Sequence, residues 1–456
     1  MRLIPIVALL LLGGCSGASA RSHTPPGTPV ASSARGASAP GMPTAVSTVA
    51  GVGWTTFQGA GTRSGVVAGA PAFAGFRRRF ARQLDGEVYG QPLIAGGVVY
   101  VATENNSVYA FGPQGQLRFR RHLGAPVPGG DLPCGDISPS GISGTPAISG
   151  GRLYAVAYLR NGHRHVLYGI DVHSGRVMLR SDVDPPQRLA AQERGALLVD
   201  HGRVYVPYGG LFGDCGDYHG YVVSVTTSGR QRRMYANPSR EAGIWSTGGI
   251  SENASGGLLV ATGNGQGGGG PFRYANSVLR LSGTLTRQAA WAPRDWASLS
   301  GSDTDIGSMS PAPLAAGRVF QGGKDGVGYL LRPGLGGVGG EAYRQHICAG
   351  AYGGAAVAGP LVLVPCLDAL VALRVTGDRF TVAWRASGHA NTPLVAGGAV
   401  IDVSGGGSLR AYRLSDGHPL ASASLPGGAN HFPSAAASGD TLAAPAGRSI
   451  VVFGGL

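Results

Sequence analysis

The chain has 456 residues, a formal net charge of +13, 80 glycines and only 13% charged residues. That length holds one large β domain or two to three ordinary ones, and so few charges exclude a chain held open by self-repulsion. The basic residues are scattered, with Arg77–Arg79 and Arg230–Arg233 as the only short clusters. No basic run is interleaved with aromatics, which argues against a nucleic-acid partner.

Arg2, the apolar run Leu3–Leu12 and Leu12-Gly13-Gly14-Cys15 read as a bacterial lipoprotein signal over residues 1–15, with Cys15 as the lipidated residue. The run is too short to span a bilayer. The expected product is extracytoplasmic and anchored to the membrane by lipid alone; a plain secretory signal is the alternative. Residues 16–53 are rich in Ala, Ser, Pro, Gly and Thr without periodicity. They read as a flexible tether reaching on the order of 30 Å.

From Trp54 to the end the chain repeats itself. Gly90–Phe111 (GQPLIAGGVVYVATENNSVYAF) has counterparts in Gly144–Gly175 and Asn391–Gly417. Each copy has a short apolar strand, a Gly-Gly or Gly-Arg turn, a β-branched and aromatic strand, a second turn and a third strand. C-terminal copies recur about every 40 residues, the period of a four-stranded propeller blade. Eight such triplets start near Gly90, Gly144, Gly195, Gly248, Ser310, Gly354, Thr392 and Phe432, with seven fourth strands between them. The missing fourth strand is assigned to Phe76–Leu84, which would complete the last blade from the other terminus. The expected fold is all-β: an eight-bladed propeller of four-stranded antiparallel blades over 54–456, with seven blades as the alternative. No long amphipathic helix is expected.

Four cysteines remain beyond Cys15. Cys348 and Cys366 fall on adjacent predicted strands of one blade, and Cys134 and Cys215 in loops leaving neighbouring blades. Those two disulfides are proposed for an oxidising compartment; two other pairings stay open. His163, His165 and His219 lack metal-ligand spacing and read as loop residues at the surface. Gly265–Gly270 is followed by no Gly-Lys-Ser/Thr and no helix, so it is not a phosphate loop. No Gly-x-Ser-x-Gly elbow supports a hydrolase.

The repeat resembles that of the pyrroloquinoline-quinone (PQQ) propeller superfamily, whose blades typically end Ala-Leu-Asp-x-x-Thr-Gly-x-x-x-Trp. Gly169-Ile170-Asp171 with Ser174-Gly175 keeps this signature best, and Trp384 keeps a tryptophan. The superfamily includes quinoprotein alcohol dehydrogenases and non-enzymatic envelope scaffolds, so the repeat implies fold and leaves function open.

The middle of the chain is similar to the dehydrogenases. By that resemblance Trp245 would lie under the quinone, Asn264 of Leu258–Gly265 would bind calcium, and Asp303 or Asp305 would be the general base. Lys324 of Gly323–Gly326 would contact the quinone oxygens. Lys324 is also the one lysine among 37 basic residues, and lysine offers a compact point charge where arginine offers a fork. The resemblance places a calcium-binding glutamate in the preceding blade. Gly209–Gly220 has Asp214 and Asp217 there instead, of which Asp214 is the candidate metal ligand. The cysteine pair that caps the quinone is missing. Bland readings stand beside these: Asn264 as a left-handed turn residue between two glycines, Trp245 as blade packing, Asp303 and Asp305 as turn caps.

Two functions follow. The first is a lipid-anchored, monomeric, non-catalytic binding or scaffold protein of the cell envelope, taking a protein partner or a small-molecule ligand. The alternative is a dehydrogenase of a small alcohol using PQQ and calcium.

Overall fold

In a computed structural model, residues 53–253, 256–265 and 271–456 are described. Cys15, the signal and the tether lie outside these residues, apart from Gly53; so do residues 266–270 of the glycine-rich segment. The described chain forms eight antiparallel sheets arranged as a ring, the predicted eight-bladed propeller. Blade 1 shows the plan: Leu93–Ala95 innermost, then Val98–Ala102 and Ser107–Phe111, with Leu117–His122 outermost. Blade 8 is Ala436–Ser438, Thr441–Ala446 and Ser449–Gly454, and its outer strand is Arg77–Gln83, supplied by the N-terminal side. One α-helix of six residues, Trp296–Gly301, occurs among the described residues.

The middle two strands of each blade are packed on both faces, which is why they read as near-continuous apolar runs such as VVYVA and LVLVP. The outer strands face solvent on one side and alternate accordingly, as Leu117–His122 does. Apolar clusters fill the spaces between successive blades. One between blades 1 and 2 contains Val108 and Leu153; one between blades 5 and 6 contains Phe320 and Phe380.

The eroded repeat signature has a packing cause. The glycine of the hairpin between the third and fourth strands lies against the outer strand of the preceding blade. A Cβ on Gly175 would sit 2.6 Å from the Phe119 ring, and one on Gly417 2.6 Å from Trp384; both glycines have positive φ. Glycine is therefore required twice over, for backbone conformation and for closeness.

Two features were not legible as repeats. The innermost strand of blade 3 is broken into Ala191–Gln192 and Leu198–Asp200, and blade 4 gains a parallel fifth strand, Gly337–Val338. More important for function, Trp54–Val67 threads the central channel. Trp54 exchanges backbone hydrogen bonds with Ile94 of blade 1, Thr55 accepts from Ile148 of blade 2, and Gly65 accepts from Val395 of blade 7. The buried Arg63 donates to the carbonyls of Leu197, Ile250 and Phe57. Gln58 donates to Ala355 of blade 6. The segment is a plug that ties most of the ring together at its axis.

Candidate functional site

In a four-stranded meander the second-to-third-strand loops and the inter-blade loops share one end, here called upper. On that face lies an axial cavity of about 670 Å³, with Phe57 of the plug among its lining residues. It is blind, because the plug fills the channel beneath it.

The wall is built by a regular device. The residue four positions before the innermost strand lines the cavity in seven of the eight blades: Tyr89, Ser143, Arg194, Thr247, Ser308, Tyr352 and Phe432 precede strands beginning at Leu93, Ala147, Leu198, Ser251, Ala312, Ala356 and Ala436. That position was available from the repeat alone. It would have found Arg194 and Tyr352, which motif comparison passed over.

Trp245, Asp214, Asp303 and Lys324 all line this cavity. Trp245 rests against three glycines: a Cβ on Gly209, Gly243 or Gly263 would come within 2.7, 2.3 and 2.1 Å of it. The Arg194 guanidinium lies over the indole, 5.7 Å from its centre. Trp245 is thus both packed against the blade and part of the cavity lining, an aromatic platform with a cation above it.

Lys324 bridges two carboxylates, with Nζ 2.7 Å from both Asp303 and Asp305. Asp303 is exposed and in the left-handed region, whereas Asp305 is fully buried and also accepts from Ser308 Oγ at 3.1 Å. Burial pushes the Asp305 carboxyl above its ordinary value, and Lys324 opposes that rise. For Lys324 burial acts downward, but Asp305 and Asp303 outweigh it and leave the ammonium raised.

Asn264 is not a left-handed turn residue; its Nδ2 donates to Asp303 Oδ1 at 2.6 Å. Its Oδ1 is buried with no donor, a free hard oxygen beside a carboxylate. Asp214 accepts instead from its loop neighbour Tyr218. Among the described residues, the one close group of three His, Cys, Asp or Glu side chains is Cys348, Cys366 and Asp368, outside the cavity lining, and its two sulfurs are joined in a disulfide.

Cys134 is bonded to Cys215. This bridge staples the loop bearing Asp136 to the loop bearing Phe212 and Asp214, both on the cavity wall. Opposite them Phe432 stacks on Tyr352, 5.6 Å between centroids, and His431 Nδ1 lies 3.5 Å from Asp136. Below the wall, Glu104 and Glu193 are buried. Burial raises Glu104 to about 7, and Glu193 well above the carboxylate range with Glu104 adding to it. The surface reading of His165 is corrected: it is a buried strand residue stacked on Tyr158 at 4.0 Å and facing Asp184. Its burial was missed because Arg164 and the preceding Asn-Gly resemble a loop.

The fold is that of an eight-bladed β-propeller with an axial cavity. Residues 54–268 match the sequence family described as outer membrane protein assembly factor BamB, and the chain carries the PQQ-like repeat. No curated protein matches it. Among solved structures it is similar to a quinohemoprotein alcohol dehydrogenase from Pseudomonas putida HK5, at 13% identity and TM-score 0.69 over 88% of this chain and 80% of that one. A europium-containing methanol dehydrogenase gives 13% and 0.69 over 88% and 98%, and BamB from Moraxella catarrhalis 11% and 0.59 over 83% and 99%. At such identities the likeness is one of fold.

Proposed function

We propose that the protein is a non-catalytic binding propeller of the cell envelope whose axial cavity takes a flat, anionic small molecule. The observation that carries this is the blind cavity itself, with Trp245 as an aromatic surface, Arg194 above it and Lys324 on the wall. A planar ligand gains from stacking, and an acidic group on it from Arg194, since the charge of Lys324 is already met by Asp303 and Asp305. The likeness to BamB supports an envelope location, and the loops around the cavity mouth are the natural surface for a protein partner.

A second reading is favoured by Asn264, Asp303, Lys324 and Asp305, which form one connected network. In a PQQ- and calcium-dependent dehydrogenase of a small alcohol, Trp245 would hold the quinone, which would supply the two-electron acceptor. Asn264 Oδ1 would be the oxygen suited to the calcium, with Asp214 as the remaining candidate. The fit is partial, since the glutamate of the resemblance has no equivalent and Asp214 is engaged by Tyr218. Lys324 would orient Asp303, whose exposed carboxylate would accept the hydroxyl proton.

Trp245 fluorescence separates the readings. Planar aromatic acids, and PQQ with and without calcium, are titrated into the protein and into Trp245→Phe. Saturable quenching in the parent but not in the variant supports a stacking site; no quenching by any of them refutes it. PQQ that survives desalting with calcium, is lost in Lys324→Ala and reduces dye with alcohols would establish the dehydrogenase instead.

A further inference from the structure

The first-to-second and third-to-fourth hairpins lie at the opposite, lower face, and every outer strand starts there. On four consecutive blades, 8 and 1 to 3, these starts collect exposed arginines: Arg77 and Arg78, Arg118, Arg176, and Arg230 with Arg233. Among the described residues none of these six forms an ion pair. Five carboxylates of the same face are engaged: Asp171 by its own turn, Asp200 by His201, Asp378 by Arg318, Asp416 by Arg413 and Asp440 by Arg79; Glu252, at the end of the innermost strand of blade 4, is half-buried. Beside the arginines stand apolar side chains held in solvent: Leu117 is 55% exposed, Met178 50%, Val177 42% and Met234 38%. Arginines dispersed in sequence thus become one basic rim studded with apolar tips.

The plug fixes what this face looks toward. Its tip, Phe57, reaches the cavity, while both its ends pair with the innermost strands, Trp54 at Ile94 and Val67 at Val395. Both ends therefore lead to the lower side, where the described chain begins at Gly53. The sequence before Gly53 carries the apolar run Leu3–Leu12 and Cys15.

From this we infer that the lower face is a docking surface for an anionic lipid bilayer, which leaves the axial cavity opening away from the membrane. Arginines at the rim meet headgroup phosphates, and Leu117, Val177, Met178 and Met234 enter the interface between them. The rim lies at one end of the ring axis, and the described chain begins at Gly53 on the same side.

The test is co-sedimentation of the full chain with vesicles of phosphatidylcholine alone or with a quarter phosphatidylglycerol. An acyl anchor contributes equally to both compositions and cancels in the difference. We expect preference for the anionic vesicles, lost at high salt. Removing three rim charges in R118S/R176S/R233S should weaken that preference on the order of a hundredfold. R188S/R273S/R294S removes the same charge from the upper face and should leave it unchanged. V177S/M178S should weaken binding to the anionic vesicles themselves several-fold. Equal binding to both vesicles, or equal loss from the upper-face variant, overturns the inference. So does an unchanged V177S/M178S whose binding dextran sulfate abolishes, which would mark a surface for a soluble acidic polymer.

Discussion

Replacing Lys324 by Met tests the electrostatic logic of the cavity. The stem is kept and the charge removed, so packing changes little. Asp305 loses Nζ at 2.7 Å and keeps Ser308 Oγ as its side-chain partner in a fully buried position. Removing one partner of a buried pair costs about 3–5 kcal/mol. Because Lys324 is 21% exposed and the orphaned carboxyl can bind a proton, we expect the lower end, about 3 kcal/mol at pH 8. The sign follows from Asp305, whose folded value is already raised by burial. Such a group contributes stability below its unfolded value of 3.8 that is lost as pH rises through the folded one. Without Lys324 to oppose burial, that window extends upward. The variant should therefore lose much less at pH 5 than at pH 8. Urea unfolding at both pH values, compared by midpoint at matched slope, gives the answer. Equal losses at the two pH values, or none, would show that Asp305 is not held as a buried carboxylate by Lys324.

Two further outcomes follow from the architecture. Arg63→Met leaves two ring carbonyls, Leu197 and Ile250, and the plug's own Phe57 carbonyl without this donor and should cost on the order of 3–6 kcal/mol, read as a lowered urea midpoint; an unchanged midpoint would mean the plug does not tie the ring. Cys348→Ser opens a bridge between residues 18 apart and should cost about 2–4 kcal/mol in the oxidised protein, with one free thiol appearing at Cys366 by thiol titration.

The propeller was legible because its information is local and repeated. Turn glycines and alternating strands recur at a fixed period, and the unpaired eighth triplet required a strand from elsewhere, which Arg77–Gln83 supplies against Ser449–Gly454. Trp245, Asp303, Asp305 and Lys324 were singled out by resemblance and by the rarity of lysine. The resemblance grouped them around one ligand; what it left out was the ion-pair geometry, in which Asp303 and Asp305 from the loop entering blade 5 meet Lys324 from the next loop of the same blade, while Trp245 comes from the loop entering blade 4. Arg194 escaped because its neighbours carry no motif; its meaning lies in its offset from the innermost strand.

The sequence by itself thus determined the repeating unit and pointed to the closing strand, with eight blades expected and seven left open, because each blade is specified by short-range hydrogen bonding and alternation. Only the tertiary structure decided that Trp54–Val67 plugs the channel, that Lys324 bridges Asp303 and Asp305, and that dispersed arginines share one rim. Those outcomes depend on which residues the closed ring brings to its axis and to each face. That is a long-range constraint, imposed when the last blade pairs with the first part of the chain.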